Sequence, residues 1–312
     1  MATRQITNTI LMIRPVQFRM NEQTAVNNYF QENVSLESDA LNKKAQQEFD
    51  AFVEKLEAAG VNVIVESDDP SANTPDSIFP NNWVSFHANG NVAIYPMFAE
   101  NRRQERREEV FERLEKEGFQ IENIIDYTAA EDEGVFLEGT GSILLDRVNE
   151  RAYCALSARA NEDLFIEFCE DFEYTPVIFT ANQTVDGKRL PIYHTNVMMC
   201  LAENFCVICL DTIDDKKERK SVLKHLKETG KEIIAITEDQ MNQFSGNMLQ
   251  VLGANDQKIM VMSAAAHKSL TQSQIDKIEK HSTILSSDID TIETCGGGSA
   301  RCMLAEVFLP KK

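Results

Sequence analysis

The chain has 312 residues, of which 31 are Lys or Arg and 50 are Asp or Glu, so its formal net charge is −19. Surfaces that bind nucleic acid need clustered positive charge, and this balance therefore argues against a nucleic-acid partner. With 43% hydrophobic and 26% charged residues, the chain has the composition of an ordinary folded protein and a length that suggests two domains.

Neither membrane insertion nor metal binding is expected from the sequence. No run approaches the roughly 18 apolar residues of a membrane span, and the apolar run at 9–13 is too short for a signal peptide. That run predicts a strand in a cytoplasmic protein. The five histidines lack HxH or HExxH spacing and the seven cysteines lack a paired CxxC pattern, so no metal or cofactor is expected. Cys206 and Cys209 are predicted to be core residues.

Along the chain, one pattern occurs five times. A small or polar residue opens an apolar strand, and in the first four copies a polar turn leads into a second apolar strand. The predicted hairpins cover 82–95, 141–156, 196–210 and 247–262, and the last segment covers 302–309. Successive starts are 59, 55, 51 and 55 residues apart, which indicates an internal repeat of about 55 residues.

Between the hairpins the period changes to that of a helix. Charged, amphipathic stretches without proline predict helices over 103–117, 161–171, 215–229 and 273–281. Short apolar runs such as 120–125, 175–179 and 232–236 follow them and predict a third strand. The last segment lacks a second strand, and the N-terminal run 7–13 is available to supply it, which would close a ring.

The repeat predicts an α/β fold, a five-bladed pseudosymmetric propeller of ββαβ units in which residues 1–312 form a single domain. The alternative is an α/β sandwich with accidental spacing. In a propeller the repeat starts point at a common axis. The residues predicted to share a pocket there are Asn82, Glu138, Gly141, His194, Asn196, Asn247 and Cys302.

These residue types suit nucleophilic catalysis. A cysteine acts as a thiolate, so Cys302 needs a base or a positive neighbour, for which His194 and Arg301 are the candidates. Glu138 precedes two glycines at a place where a charge needs a partner, and it could orient an imidazole. Cys295 is a rival nucleophile outside the repeat register. Taken singly, each residue also has a structural explanation as a core cysteine, a loop histidine or a turn-capping carboxylate.

Several motifs resemble those of guanidino-group-modifying enzymes, the pentein superfamily of arginine deiminase, dimethylarginine dimethylaminohydrolase, arginine dihydrolases and amidinotransferases. Glu138-Gly-Thr-Gly, His194-x-Asn and the Gly-rich stretch before Cys302-Met are similar to the segments of their Cys-His-Glu site. The segment 75–82, PDSIFPNN, resembles the dimethylaminohydrolase motif PDSVFVED. The segments 101–105 and 156–161 are similar to the RRxE and SxRTN segments. The resemblance covers nearly the whole chain and implies a five-fold pseudosymmetric propeller.

The resemblance also implies roles for individual residues. Cys302 would attack the central carbon of a guanidino or ureido group, His194 would act as general acid and base, and Glu138 would orient His194 and hold a substrate nitrogen. The remaining implied substrate-binding residues are Asp76 for a nitrogen, Arg102 and Arg159 for the α-carboxylate, and Asn82, Asn196 and Asn247. Within the charged run 101–109, Arg103 or Arg106 could serve in place of Arg102.

The sequence departs from the deiminases at three positions. Deiminases hold the guanidinium cation between two aspartates, and this sequence has Asn82 and Asn196 at those positions. A third acidic residue of the deiminases is replaced by Gly141. An amide can both donate to and accept from a ureido group, whereas a carboxylate only accepts, so the change favours an uncharged reacting group. Arginine dihydrolases, however, also resemble this sequence and use an asparagine at such a position.

The sequence thus predicts a cofactor-free hydrolase of carbon–nitrogen bonds that converts citrulline to ornithine, ammonia and carbon dioxide. Arginine dihydrolase or deiminase activity is the alternative, and an amidinotransferase is less favoured. A different class, a non-catalytic propeller that binds amino acids, is disfavoured by the complete Cys302, His194 and Glu138 set. The expected partner is a small-molecule substrate, with no nucleic acid and no membrane, and the sequence permits a homo-oligomer.

Overall fold

The computed structural model describes residues 4–32 and 37–312. Within them the strands are β1 (Thr9–Arg14), β2 (Asn62–Ser67), β3 (Val84–Phe86), β4 (Asn91–Ile94), β5 (Asn123–Asp126), β6 (Ile143–Asp146), β7 (Arg151–Leu156), β8 (Thr175–Thr180), β9 (Asn182–Val185), β10 (Lys188–Pro191), β11 (Met199–Leu201), β12 (Phe205–Ile208), β13 (Glu232–Ala235), β14 (Leu249–Leu252), β15 (Lys258–Ser263), β16 (Thr283–Ser287) and β17 (Ala305–Glu306). The α-helices are α1 (Glu22–Ala25), α2 (Ser38–Ala58), α3 (Glu108–Lys116), α4 (Gly139–Ser142), α5 (Glu162–Asp171), α6 (Thr195–Met198), α7 (Lys216–Glu228), α8 (Glu238–Met241), α9 (Ala264–Ser269), α10 (Gln272–Glu279) and α11 (Asp290–Gly296).

Five three-stranded sheets share one connectivity. The first and second strands of each sheet are antiparallel, and the second and third are parallel and joined through a helix. The sheets, written as first, second and third strand, are β3-β4-β5, β6-β7-β8, β11-β12-β13, β14-β15-β16 and β17-β1-β2. The predicted ββαβ repeat is therefore confirmed.

The fifth sheet joins the two ends of the chain. Strand β1 pairs antiparallel with β17, with Ile10 opposite Glu306, and parallel with β2, with Thr9 opposite Asn62. The N-terminal run does supply the missing second strand, although it begins at Thr9 and not at residue 7.

The helix of this fifth blade, α2, has no counterpart among the predicted helices. Its buried residues, Leu41, Ala45, Phe49, Phe52 and Leu56, recur every three or four positions and form one apolar stripe. The stripe packs in one apolar cluster with Ile10 and Met12 of β1. The periodic signal was therefore present in the sequence, and the repeat search missed it because this blade is split between the two chain ends.

Four of the five residues at the repeat starts lie on turns of helix and not on strands, contrary to the prediction, and the fifth, Asn247, lies in the loop before β14. Asn82 ends the 3-10 turn Pro80–Asn82, residues 141 and 196 lie in α4 and α6, and Cys302 lies in the 3-10 turn Ala300–Met303. Packing at the centre of the ring is close. A Cβ atom at Gly139 would lie 2.4 Å from the carbonyl oxygen of Asn81, so position 139 has no room for a side chain.

The segment before His194 forms the hairpin β9–β10. Asp186 and Gly187 form its turn with φ of 49° and 75°. Two successive positive φ angles suit the tight hairpin turns for which Asp-Gly is favoured. The described part of the chain contains no helix long and apolar enough to cross a membrane. Cys206 and Cys209 are fully buried in the core, as predicted.

Candidate active site

The predicted site residues converge at the centre of the ring. Their exposed fractions all lie between 0% and 3%. Six of the nine line one cavity of about 10 Å³, which has room for about one water molecule. These six are Asp76, Asn82, Arg102, Arg159, His194 and Cys302. The other three, Glu138, Asn196 and Asn247, contact the lining residues by hydrogen bonds.

Glu138 and His194 form a buried pair. Glu138 precedes α4, and its Oε2 lies 2.7 Å from Nε2 of His194, while its Oε1 accepts a hydrogen bond from the backbone N–H of Phe98. A Cβ atom at Gly141 would lie 2.8 Å from His194 Nδ1 and 2.4 Å from Asn82 Nδ2. Position 141, where the deiminase-like acid is missing, therefore leaves no room for any side chain beside the imidazole.

The charges around this pair determine its protonation. Burial alone would raise the pKa of Glu138, but Arg159, whose Nη1 lies 3.5 Å from Oε2, together with His194 and Arg102, lowers it to about 2. Burial lowers the pKa of His194 to about 4, with Glu138 opposing and the two guanidinium groups adding to the shift. At neutral pH the carboxylate therefore accepts the Nε2–H of a neutral imidazole, and Nδ1 carries the lone pair. Nδ1 has no hydrogen-bond partner among the described residues.

Cys302 lies against two side-chain amides. Its Sγ is 3.2 Å from Nδ2 of Asn247 and 3.5 Å from Nδ2 of Asn196. The rival cysteine, Cys295, lies in α11, where it is fully buried and where burial raises its pKa. Cys302 lines the cavity beside His194, whereas Cys295 is not among the lining residues.

Arg102 is already paired within the protein. Its Nε and Nη2 donate to the two carboxylate oxygens of Glu105 at 2.8 and 2.9 Å, and its Nη1 donates to Asn82 Oδ1 at 2.9 Å. Burial opposes the charge, but Glu105 holds the pKa of Arg102 above its ordinary range. The alternative arginines, Arg103 and Arg106, both contact Glu131 and do not line the cavity.

Residues 21–31, which we call the N-terminal strap, cover the cavity. Arg159 donates from Nε to Oδ1 of Asn27 at 3.0 Å and from Nη2 to the carbonyl of Thr24 at 3.0 Å. Asp76 accepts at Oδ2 from Asn21 and Thr24, at 2.8 and 3.1 Å, and its Oδ1 is buried without a partner in the described ranges. Burial raises the pKa of Asp76, although Arg102 opposes the shift.

The strap also contacts the Gly-rich loop 296–298 that precedes the nucleophile candidate. Asn28 donates to the carbonyl of Gly297 at 3.1 Å, and Gln31 donates to that of Gly296 at 3.1 Å. The hydroxyl of Tyr193 donates to Gly297 as well, at 2.6 Å. The strap therefore packs against Arg159, Asp76 and the Gly-rich loop, all of which line the cavity. The prediction missed the strap and Tyr193, and the only available signal was the three asparagines within 21–28.

One small buried cavity lies at the centre of the five-bladed ring. The groups around it are a thiol beside two amides, an imidazole paired with a carboxylate, and two guanidinium groups. This combination defines a cysteine-dependent hydrolase of carbon–nitrogen bonds on a pentein fold. The sequence profile of the family described as N,N dimethylarginine dimethylhydrolase, eukaryotic, matches residues 14–309, and the chain belongs to that family. No curated protein matches the chain by sequence search.

Solved structures share the fold at low sequence identity. The arginine dihydrolase ArgZ, from the ornithine–ammonia cycle in cyanobacteria, has a TM-score of 0.74 and 17% identity, covering 97% of this chain and 41% of that chain. Its N-terminal domain, as a Cys-to-Ser variant bound to substrate, has a TM-score of 0.72 and 17% identity, with coverage of 96% and 99%. A dimethylarginine dimethylaminohydrolase variant in an adduct with S-methyl-L-thiocitrulline has a TM-score of 0.64 and 16% identity, with coverage of 96% and 99%. The chain thus spans about two fifths of full-length ArgZ.

Proposed function

We propose that this protein is an arginine dihydrolase, which converts arginine and two water molecules to ornithine, two ammonia molecules and carbon dioxide. Citrulline, predicted from the sequence to be the substrate, is then the intermediate between two hydrolyses. The observation that carries the proposal is the cavity that Cys302 shares with the His194–Glu138 pair. The likeness to arginine dihydrolases in fold supports arginine as the starting substrate.

In the first hydrolysis, Sγ of Cys302 forms a bond to the guanidinium carbon while Nδ1 of His194 takes the thiol proton. His194 then gives this proton to the departing nitrogen, which leaves as ammonia. Water, deprotonated by the same imidazole, attacks the sulfur-bound carbon and expels the thiolate, and citrulline results. The Glu138 carboxylate stabilises the imidazolium that forms in each step, because it already accepts its Nε2–H.

In the second hydrolysis, Sγ attacks the ureido carbon of citrulline. His194 protonates the leaving group, which is either ammonia or Nδ of ornithine, and water hydrolyses the remaining thioester to a carbamate. The carbamate loses carbon dioxide. The two hydrolyses thus use the same three side chains, and the second one requires that citrulline stays bound.

Asn82 supports this retention of citrulline. Its Oδ1 accepts from Arg102, which fixes the amide orientation, and its Nδ2 has no partner among the described residues. The guanidinium group of arginine has only N–H donors and cannot accept this hydrogen bond, whereas the ureido oxygen of citrulline can. A neutral hydrogen bond of this kind contributes about 1 kcal/mol.

For the amino-acid end of the substrate, we assign the α-carboxylate to Arg159 and the α-ammonium to Asp76. Among the described residues, the Arg159 guanidinium donates its hydrogen bonds to a neutral amide and a carbonyl of the strap, while Glu138 lies 3.5 Å from its Nη1. A substrate carboxylate would displace the strap groups because charge-assisted hydrogen bonds are stronger. Asp76 has a free buried oxygen. Arg102, whose N–H groups are occupied by Glu105 and Asn82, instead orients Asn82 in this proposal.

The test is to incubate the purified protein, dialysed against EDTA, with L-arginine, L-citrulline or N,N-dimethylarginine in separate reactions. We expect ornithine from arginine with two ammonia molecules per ornithine, and no product from a Cys302→Ser variant. Accumulation of citrulline from arginine would show a deiminase instead. Formation of ornithine from citrulline but not from arginine would show the citrulline hydrolase predicted from the sequence.

The third substrate tests the second candidate function, which is favoured by the family profile match over residues 14–309. Release of dimethylamine and citrulline from N,N-dimethylarginine, with no ornithine from arginine, would assign the protein to dimethylarginine hydrolysis.

A further inference from the structure

The amide of Asn247 lies against the sulfur of Cys302 and has no N–H donor left for a substrate. One N–H of Nδ2 donates to the carbonyl of Asn196 at 3.0 Å, and the other faces Sγ at 3.2 Å. Its Oδ1 accepts from the backbone N–H of Arg301, the residue before Cys302, at 3.0 Å. An asparagine side chain has two N–H donors, and both are used within the protein.

The backbone holds this amide rigidly in place. The N–H of Asn247 donates to the carbonyl of Phe244 at 2.8 Å, and Phe244 is in the left-handed region with φ of 60°. A Cβ atom at Gly246 would lie 2.2 Å from the carbonyl oxygen of Val197, so the loop presses directly onto α6. A bulky residue with positive φ is costly, and such strain concentrates at functional sites.

We propose that Asn247 is a positioning residue for the nucleophile and not a substrate-binding residue as predicted from the sequence. It fixes the direction of Sγ, and it donates a hydrogen bond to the sulfur when the sulfur is negatively charged. Sulfur develops that charge as His194 takes its proton during the attack, and it carries the charge again when water expels it from the intermediate. A hydrogen bond to a charged acceptor is roughly twice as strong as one to a neutral acceptor.

The inference rests on the proposed role of Cys302, and the test separates the two. Asn247→Asp keeps the shape, removes both donors and places a carboxylate beside Sγ. We expect alkylation of Cys302 by iodoacetamide at pH 7, located by mass spectrometry, to be at least tenfold slower. With arginine as substrate, kcat should fall at least tenfold while KM stays within twofold. The control is Asn242→Asp on the same loop, whose side chain is exposed, and it should match the parent protein.

The opposite pattern would overturn the inference. If alkylation stays within twofold of the parent and KM rises more than fivefold, Asn247 binds substrate. Should the Asp variant fail to fold, as judged by circular dichroism, Asn247→Ala provides the same comparison without the added charge. Because alkylation needs no substrate, a protein that proves inactive on arginine still tests the position of Asn247.

Discussion

The substitution Glu138→Gln tests the electrostatics of the site most directly. The carboxylate is fully buried and faces three cationic or proton-donating groups, with Arg159 at 3.5 Å, Arg102 at 3.9 Å and His194 at 2.7 Å. Glutamine keeps the shape of the side chain and removes its charge. The two guanidinium groups then lose a buried counter-charge, and the imidazole loses its charged acceptor.

The size of the effect follows from the pKa of Glu138. Lowering it from the ordinary 4.5 to about 2 corresponds to about 3 kcal/mol of stability at neutral pH. Because the pKa in the folded protein lies below that in the unfolded chain, this stabilisation is present above pH 4.5 and is lost as the pH falls towards 2. The Glu138→Gln variant lacks this stabilisation at every pH. The difference in unfolding free energy between parent and variant should therefore be about 3 kcal/mol at pH 7 and shrink in acid.

Urea unfolding followed by circular dichroism at pH 7, 5 and 3 measures this difference. The matched control is Glu117→Gln at an exposed ion pair with Arg113, which should change stability by less than about 0.5 kcal/mol at every pH. Activity provides a second measurement, and kcat should fall about 100-fold or more because the imidazole is no longer oriented. If the variant loses less than about 1 kcal/mol of unfolding free energy at pH 7, or if the loss does not change with pH, Glu138 is not ionised in the resting protein.

Three further substitutions test other contacts. Gly141→Ala adds a Cβ atom 2.4 Å from Asn82 Nδ2 and 2.8 Å from His194 Nδ1, so steady-state kinetics should show kcat reduced at least tenfold, and an unchanged kcat would contradict this crowding. Asn82→Asp removes the N–H assigned to the ureido oxygen, so chromatography should detect citrulline accumulating from arginine, and unchanged ornithine yield would show that this N–H is not used. Arg159→Lys loses the two-pronged donor geometry, so KM should rise about tenfold with kcat less affected, and a change confined to kcat would argue against carboxylate binding.

The ring itself could be predicted because each blade repeats the same local signals. A polar residue, two alternating strands and an amphipathic helix recur about every 55 residues, and closure by the N-terminal strand follows from the missing partner of β17. The convergence of Asn82, His194 and Cys302 on the axis could then be predicted from the symmetry of the repeat alone.

The other features of the site, namely the strap and the orientation of individual side chains, depend on contacts that do not repeat along the chain. The strap reaches Arg159 and Asp76 through Asn27 and Asn21, whose positions repeat nowhere else in the chain. Whether an amide faces substrate or sulfur depends on hydrogen bonds to other blades, as those of Asn247 to Asn196 and Arg301 show.

Pairing between β1 and β17 has a consequence for how the protein acquires activity. The nucleophile candidate Cys302 lies only three residues before β17, and the partner strand begins almost 300 residues earlier, at Thr9. Contacts so distant in sequence form late and slowly, because the intervening chain must first lose its freedom. A growing chain that ends before residue 302 lacks both the cysteine and β17, and it exposes an unpaired edge of β1. The blade that closes the ring is therefore completed at the same late stage of synthesis at which the candidate nucleophile enters the chain.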